Sequence, residues 1–267
     1  MHTALSIAGS DSSGGAGIQA DLKTFLANDV FGMTAITAIT AQNTTGVSEI
    51  DVLSPQLLAA QIEAVFTDIP PEAVKIGMVG NGELITTIVD SLKKYPEVPI
   101  VLDPVMVATS GASLFTESQI DVYYDQLFPM ATVITPNLHE AEVIYGEEIH
   151  DEETMELAAK TLAQKFHAAF IIKGGHFTGD EAVDILATET ETYRFAKPRV
   201  DNPNTHGTGC TFSSAIAANL AKGYSLPESV QNAKDYLTAA LSTQLDLGEG
   251  SGPLDHGYRL REVNDEA

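Results

Sequence analysis

Short runs of apolar and β-branched residues alternate with amphipathic helical patterns along almost all of the 267-residue chain. Apolar residues recur at helical spacing at Ile18, Leu22 and Phe25, and again after Ser54-Pro55, a typical helix start. Nearly continuous apolar strands that alternate with helices are typical of a parallel sheet covered by helices. The predicted strands are Ala4–Ala8, Met33–Thr40, Val47–Leu53, Val74–Met78, Ile100–Leu102, Thr132–Ile134 and Phe170–Ile172, followed by a hairpin of Val183–Ala187 and Thr192–Phe195. We therefore expect an α/β fold in one domain, residues 1–267, with a frayed or weakly docked acidic tail from about residue 248.

The charge of the chain argues against two classes of partner. Asp and Glu number 37 against 14 Lys and Arg, which gives a formal net charge of −23. Nucleic acids and anionic membrane surfaces are bound by clustered basic residues, so we expect neither as a partner. No apolar run reaches the roughly 20 residues that a membrane span needs, and the first residues lack the basic region of a signal peptide. The single cysteine, Cys210, cannot form an internal disulfide, so we expect a cytoplasmic protein that binds a small molecule.

A glycine-rich segment, Asn204–Phe212, predicts an anion-binding hole. Its glycines let the backbone turn, and the helix that follows directs its positive end at the same place. Such a hole suits a transferred phosphoryl group and the charge that develops on it. The dipoles there favour a thiolate, so we expect a lowered pKa for Cys210, although an inert buried cysteine is the alternative.

Three other strand ends carry side chains suited to phosphate or Mg²⁺. Lys173 ends an apolar strand and is followed by two glycines, so it is either a phosphate ligand or a solvated strand-end lysine. Asp103 also ends a strand, and its carboxylate suits Mg²⁺. Asn137 and Glu140 are three residues apart and so face the same way on an opening helical turn, where they are able to share a hydrated cation. A helix cap completed by a capping box is the alternative for this pair.

The loop after the first predicted strand, Gly9–Gly17, is a weaker signal. It contains Gly15-x-Gly17-x-x-Ala20, a degenerate form of the dinucleotide-binding fingerprint, but its glycines do not directly follow the strand. A flexible turn with a helix cap explains the same residues, and the chain has no GxxxxGK[ST] motif.

Taken together, the motifs resemble those of a known family. The blocks are AGSDSSGGAGIQAD, TAITAQNT, KIGMVG, LDPVMVA, TPNLHEAE, IIKGGH and HGTGCTFSSAIAA, in this order. As a set they are similar to the hydroxymethylpyrimidine/phosphomethylpyrimidine kinases of thiamine biosynthesis, in the ribokinase-like superfamily. The resemblance implies a three-layer α/β/α fold with a central, mostly parallel sheet, a homodimer, and ATP with Mg²⁺ along the carboxyl edge of the sheet. A monovalent cation is a further candidate ligand.

The resemblance also assigns roles to individual residues. The catalytic anion hole corresponds to Gly207, Thr208, Gly209 and Cys210, and the ATP ligands to Lys173 and Thr208. The Mg²⁺ site corresponds to Asp103, Asn137 and Glu140. The pyrimidine site corresponds to Gly9, Ala16, Asp21, Gln42, Met78 and Val105. The Gln42 amide is able both to donate to and to accept from an aminopyrimidine edge.

The implied activity is transfer of the ATP γ-phosphoryl to 4-amino-5-hydroxymethyl-2-methylpyrimidine and then to its monophosphate. One alternative is a pyridoxal/pyridoxine kinase, and another is a catalytically silent nucleotide- or vitamer-binding regulator. Related pyridoxal kinases carry a second cysteine in the lid loop, where this chain has Ala108, which favours the pyrimidine. Thr109 and Ala112 replace the lysine and acidic residue that the family often has there, so the grip on the second substrate stays open.

Overall fold

A sheet of eight strands with the order β10-β9-β8-β7-β6-β5-β1-β2 runs through the computed structural model, which describes residues 1–105, 117–175, 177 and 179–260. In chain order the strands are β1 (His2–Ala8), β2 (Val30–Ile36), β3 (Ala38–Asn43), β4 (Gly46–Val52), β5 (Ala73–Ile76), β6 (Ile100–Leu102), β7 (Val133–Ile134), β8 (Ala169–Lys173), β9 (Glu181–Ala187) and β10 (Thr192–Pro198). Strands β1, β2 and β5 to β8 pair in parallel, and β9 and β10 complete the sheet as the predicted antiparallel hairpin. Strands β3 and β4 form a separate antiparallel ribbon.

Helices cover both faces of this sheet. They are α1 (Gly17–Ala27), α2 (Pro55–Asp68), α3 (Gly82–Leu92), α4 (Glu117–Val122), α5 (Leu138–Tyr145), α6 (Glu152–Phe166), α7 (Thr208–Ala221) and α8 (Leu226–Ser242). Helices α1, α7 and α8 share one apolar core with the sheet, whereas α2, α3, α5 and α6 share the core on the opposite face. The three-layer α/β/α fold predicted above is confirmed.

Alternation along the strands sends neighbouring residues into different layers. Leu5 and Ile7 of β1 belong to the core under α2 and α3, whereas Ala4 belongs to the core under α1 and α7. By the same alternation, Ser6 of β1 and Lys75 of β5 face α1 and α7, and both are fully buried. Polar side chains in such a position need partners, because a buried charge without one is costly.

The prediction of one strand over Met33–Thr40 is wrong. The strand breaks at Thr37, which separates β2 from β3. The Thr37 backbone N–H donates to the Ala8 carbonyl (3.0 Å) and its hydroxyl donates to the Met78 carbonyl (2.7 Å). These two bonds hold the chain at the end of β1 and direct it out of the main sheet into the β3–β4 ribbon.

Part of the C-terminal segment is docked on the rest of the domain. Leu254, Asp255 and His256 are buried, and the Tyr236 hydroxyl of α8 donates to the His256 carbonyl (2.8 Å). The Gly252 N–H donates to the Asn204 side chain at 2.8 Å, just before α7. Residues 252–258 therefore pack against the segment that leads into α7.

Candidate active site

The carboxyl ends of three neighbouring strands, β6, β7 and β8, bring Asp103, Thr135 and Lys173 together. The Lys173 Nζ lies 3.4 Å from the Asp103 Oδ1, and the Thr135 hydroxyl donates to the same oxygen at 3.2 Å. The Lys173 side chain keeps 17% of its surface exposed, so it is still accessible to a ligand. Burial alone would lower the pKa of Lys173, but Asp103, Glu140 and Cys210 together raise it above its usual value. The result is a permanent cation at the edge of the sheet.

The start of α7 lies directly against this ion pair. A Cβ atom built on Gly209 would lie 3.4 Å from the Lys173 Nζ and 3.5 Å from the Asp103 Oδ2. Gly207 caps the helix in the left-handed region, with φ +83°, and the N–H of Thr208 donates to the Thr205 carbonyl. Because the first turn of a helix leaves N–H groups without intrahelical partners, the amides of Gly209 and Cys210 remain available to an anion. The predicted anion hole and the predicted phosphate lysine thus lie side by side.

Cys210 is partly buried at this helix start, and the backbone N–H of Gly17 contacts its sulfur. Burial raises the pKa of the thiol to about 11, and it outweighs the favourable effects of Lys75 and of the Gly17 N–H. The expected lowering of the Cys210 pKa is therefore wrong for this structure. Desolvation of the sulfur has the largest effect on this pKa, and spacing along the sequence does not reveal it.

Asn137 and Glu140 form the capping box of α5, the alternative that the sequence left open. The Asn137 side chain accepts from the Glu140 N–H, and the Glu140 carboxylate accepts from the Asn137 N–H, both at 2.9 Å. A β-bridge joins Asn137 to Lys173, and the Glu140 charge contributes to raising the Lys173 pKa. The pair therefore lies beside the Lys173 ammonium group, and it does not form a joint metal site with Asp103.

The donor set fits Mg²⁺ only in part. Within the described ranges, no group of three His, Cys, Asp or Glu side chains is placed to hold a metal ion. Asp103 and Glu140 are both carboxylates beside the phosphate lysine, and Mg²⁺ in kinase sites is usually bound by one or two carboxylates together with substrate phosphates and waters. These residues fit a nucleotide-borne Mg²⁺ and do not form a complete cage.

The predicted pyrimidine residues lie on the other side of the α7 start. A Cβ atom on Gly9 would lie 2.6 Å from the Met78 Cε, so these two residues are in contact. The Ala16 N–H donates to the Asp11 carboxylate (2.8 Å), and the Ser12 hydroxyl joins the same loop to the backbone of Gln42. Gln42 lines a pocket of about 470 Å³ along the β3–β4 ribbon.

Two further residues of that group have less direct positions. Val105 is partly buried and its N–H donates to the Asp103 carbonyl (2.9 Å), directly before the segment that lies outside the described residues. Asp21 is fully buried on α1, and its carboxylate is bound by Ser6, Lys75 and Ser214. Its contact with a substrate stays a prediction, because the structure gives the carboxylate these other partners. The lid positions Ala108, Thr109 and Ala112 lie outside the described residues.

A hydrogen bond that the sequence reasoning missed joins the two halves of the site. The His206 Nε2 lies 2.8 Å from the Asp11 Oδ2, although the two residues are 195 positions apart. Asp11 also accepts from the N–H groups of Ser13, Gly15 and Ala16. Burial raises the Asp11 pKa, but these hydrogen bonds, led by His206, hold it well below its usual range. Both residues stand in the motif blocks, yet their pairing has no local sequence signal.

Comparison with known proteins decides the family. The family model for phosphomethylpyrimidine kinase matches residues 11–255, which include every candidate residue above except Gly9. The chain belongs to this family. The hydroxymethylpyrimidine/phosphomethylpyrimidine kinase of Rhizobium meliloti is 48% identical over 259 residues, which cover 96% of this chain and 97% of that protein. The thiamine biosynthesis bifunctional protein of Geobacter sulfurreducens is 46% identical over 98% of this chain, which spans only 53% of that protein.

Solved structures place the same fold in two kinds of kinase. The crystal structure of phosphomethylpyrimidine kinase from Clostridium difficile has a TM-score of 0.80 and 47% identity, and covers 90% of this chain and 99% of that chain. The pyridoxal kinase of Staphylococcus aureus in complex with AMP-PCP and pyridoxal has a TM-score of 0.88 and 34% identity over 98% of this chain and 95% of that one. The predictions of family, fold and ATP-dependent phosphotransferase activity are thereby confirmed. The backbone alone does not separate the two substrate classes, whereas sequence identity favours the pyrimidine kinases.

Proposed function

We propose that this protein phosphorylates the hydroxymethyl group of 4-amino-5-hydroxymethyl-2-methylpyrimidine and then its monophosphate, with ATP as donor, in thiamine biosynthesis. One observation carries the proposal beyond family membership: the Lys173–Asp103 pair lies against Gly209 at the start of α7. This arrangement joins a cation and helix amides at one place, as transfer of a phosphoryl group requires.

The chain's own residues divide the work of the reaction. Lys173 binds the phosphate oxygens of the nucleotide, and the amides of Gly209 and Cys210 stabilise the charge on the transferred group. Gly9 and Met78 form the wall against which the ring of the acceptor rests, and Gln42 supplies an amide for its polar edge. Phosphoryl transfer depends mainly on positioning and electrostatics, so this set is sufficient in kind.

The raised pKa of Cys210 changes its role in this scheme. With a thiol pKa of about 11, only about one molecule in ten thousand carries the thiolate at pH 7. We therefore assign Cys210 to orienting the acceptor hydroxyl, while the anion hole and Lys173 provide most of the stabilisation. A preformed thiolate base at Cys210 is not needed in this scheme.

Mg²⁺ is proposed as the metal, with Asp103 and Glu140 as the carboxylates nearest to it. When bound with the nucleotide, it would neutralise charge on the phosphates. In the structure, Lys173 forms an ion pair with the Asp103 carboxylate. Thr135 and Ser213 donate hydrogen bonds of 3.2 and 3.4 Å to the same carboxylate. Asp103 is thus held in place by three side chains.

A pyridoxal kinase is the second candidate, because the fold similarity to pyridoxal kinases is as high as that to pyrimidine kinases. The decisive experiment is a coupled assay of ADP release with the hydroxymethylpyrimidine, its monophosphate and pyridoxal side by side. We expect the highest kcat/KM with the pyrimidine, and turnover of its monophosphate. A strong preference for pyridoxal would overturn the assignment, and ligand binding without ADP release would favour the silent regulator. The K173Q variant controls for contaminating kinases.

A homodimer through the β3–β4 ribbon is also proposed. The ribbon leaves the main sheet, and its register places Val47, Ile50 and Val52 on one face, where each is between 39% and 49% exposed. Exposed apolar patches of this kind often mark protein–protein contacts. We expect the I50D variant to sediment as a monomer, whereas L157D, on the exposed face of α6, should leave the dimer intact. A wild-type monomer at micromolar concentration would contradict the proposal.

A cytoplasmic location is proposed from the enzyme's pathway and its single cysteine. None of the helices in the described part of the chain has the length and apolar character to cross a membrane.

A further inference from the structure

Beneath the start of α7 lies a fully buried ion pair that the proposed reaction scheme does not use. The Lys75 Nζ of β5 lies 2.9 Å from both carboxylate oxygens of Asp21 on α1. Both side chains are 0% exposed. The Ser6 and Ser214 hydroxyls donate to the same carboxylate at 2.5 and 2.7 Å. The four residues come from β1, α1, β5 and α7 and tie all of these elements together.

The geometry places this network directly under the reacting end of the site. Ser214 and Cys210 are four residues apart on α7, so they lie on the same face of that helix. Asp21 and Gly17 are likewise four residues apart on α1, and the Gly17 N–H contacts the Cys210 sulfur. The two helices therefore meet twice: Gly17 meets Cys210 at their starts, and Asp21 meets Ser214 one turn further along.

The Lys75 side chain extends toward the carboxyl edge of the sheet. Lys75 and Gly77 lie two residues apart and face the same side. A Cβ atom on Gly77 would lie only 2.8 Å from the Lys75 Nζ, so the absence of a side chain at position 77 leaves room for the ammonium group. The charge thus lies next to the loop that follows β5, on the side of the catalytic centre.

From this arrangement we infer that Lys75 is a positioning residue, whose buried charge favours negative charge at Cys210 and on the phosphoryl group held at the start of α7. The inference rests on the proposed kinase function and deepens it. Asp21 fixes the position of the ammonium group.

The charges around Cys210 agree with this role. Burial alone would lower the Lys75 pKa, but Asp21, with contributions from Cys210 and Asp103, holds it above its usual value, so Lys75 keeps its proton. Of the charged side chains with the strongest effects on the thiol, Lys75 lowers its pKa, whereas Asp21 and Asp103 raise it. The effect of Lys75 is the largest of the three, so it offsets part of the cost of burying a charge there.

The single cysteine makes the test direct, because alkylation by iodoacetamide reports on Cys210 alone. At a fixed pH of 8.5, the rate follows the thiolate fraction, and one unit of pKa changes that fraction about tenfold. We expect K75M to react about tenfold more slowly than the wild type and D21N to react severalfold faster. The alkylation rate of the double variant K75M–D21N should lie between those of the wild type and K75M. If the network were merely structural, K75M and D21N would change the alkylation rate in the same direction, because either one would loosen the site and expose the sulfur.

Two further buried charges provide the matched control. Lys234 and Asp184 form an ion pair of 2.6 Å between α8 and β9, and neither is among the charges with the strongest effects on the Cys210 thiol. K234M and D184N should therefore leave the alkylation rate within about twofold of the wild type. If K75M does not fold, the double variant decides, because it leaves no unpaired charge; a rate equal to the wild type would overturn the inference. A change of the alkylation rate in the same direction for K75M and D21N would overturn the inference as well.

Alkylation needs neither ATP nor an acceptor, so its outcome is independent of the substrate assignment. In the kinase assay, K75M–D21N should lower kcat and leave the KM for ATP within about twofold. If the acceptor proves to be another hydroxymethyl compound, the alkylation order still tests the role of Lys75, and only the proposed function fails.

Discussion

Replacing Gly207 by alanine probes how tightly the two halves of the site are joined. Gly207 has φ +83°, in the left-handed region that favours glycine. A Cβ atom there would lie 1.8 Å from the carbonyl oxygen of Gly15 and 2.9 Å from its carbon. Both neighbours are backbone atoms, so no side-chain rotation relieves the overlap. The β1–α1 loop, which carries Asp11, has to move away from His206.

The expected loss is the sum of two terms. An alanine in the left-handed region costs about 1–2 kcal/mol. Displacing the loop weakens the hydrogen bond between Asp11 and His206, and a hydrogen bond to a charged group contributes about 1.5–3 kcal/mol. We therefore expect Gly207→Ala to lower the free energy of unfolding by about 3–5 kcal/mol. For a protein of this size the melting temperature should fall by roughly 10 °C.

Gly223→Ala separates the two terms. Gly223 has the same φ of +83°, but a Cβ atom there meets no atom within 4 Å. This control should lose only the conformational term, about 1–2 kcal/mol, when unfolding by urea is followed by circular dichroism. Gly207→Ala should also lower kcat about 100-fold, because the amides of the anion hole shift, while Gly223→Ala should keep near wild-type turnover. Equal losses of stability in the two variants would refute the reasoning.

Single replacements at Lys173, Cys210 and His256 probe three other titratable groups. K173Q should lower kcat at least about 100-fold in steady-state assays, whereas K160Q, at an exposed ion pair, should not; equal kcat values would contradict the role of Lys173. C210A should lose about tenfold in kcat between pH 6 and 9, because the thiol is protonated there, and a thousandfold loss would restore the thiolate base. Burial lowers the pKa of His256 from 6.5 to about 4, so the folded state takes up this proton later than the unfolded chain. The neutral His256 therefore contributes fully to stability above pH 6.5. The free energy of unfolding falls by about 3 kcal/mol as the pH drops toward 4. Urea unfolding at pH 7.5 and 4.5 should show a smaller loss in H256Q, and parallel losses would exclude this origin.

The sheet edge is the part of the site that sequence predicts best. Asp103 and Lys173 each follow an apolar run, and in a parallel sheet the carboxyl ends of neighbouring strands meet at one edge. Their contact at 3.4 Å follows from that rule alone once β6, β7 and β8 are recognised. The capping box of Asn137 and Glu140 was predictable for a similar reason, since the motif is local.

Features that depend on burial were less predictable from the sequence. The pKa of Cys210 depends on how much protein covers the sulfur, and no spacing of residues reports that. Thr37 breaks a continuous apolar pattern through hydrogen bonds to Ala8 and Met78, which are distant in the chain. Lys75 did carry a signal: a lysine inside an apolar strand needs a buried carboxylate, and Asp21 is the one that α1 supplies.

The packing of residues 252–258 has a consequence for the order in which the protein is made. Gly252 accepts from the His206 N–H, and His206 in turn holds Asp11, which the ribosome produced 195 residues earlier. At about 5–20 residues per second, Asp11 waits roughly 10–40 s for His206, and the brace from residue 252 arrives several seconds later. The candidate site is thus completed only after residue 252 has been made. A nascent chain that already contains every strand of the sheet would still lack the support that sets its anion hole.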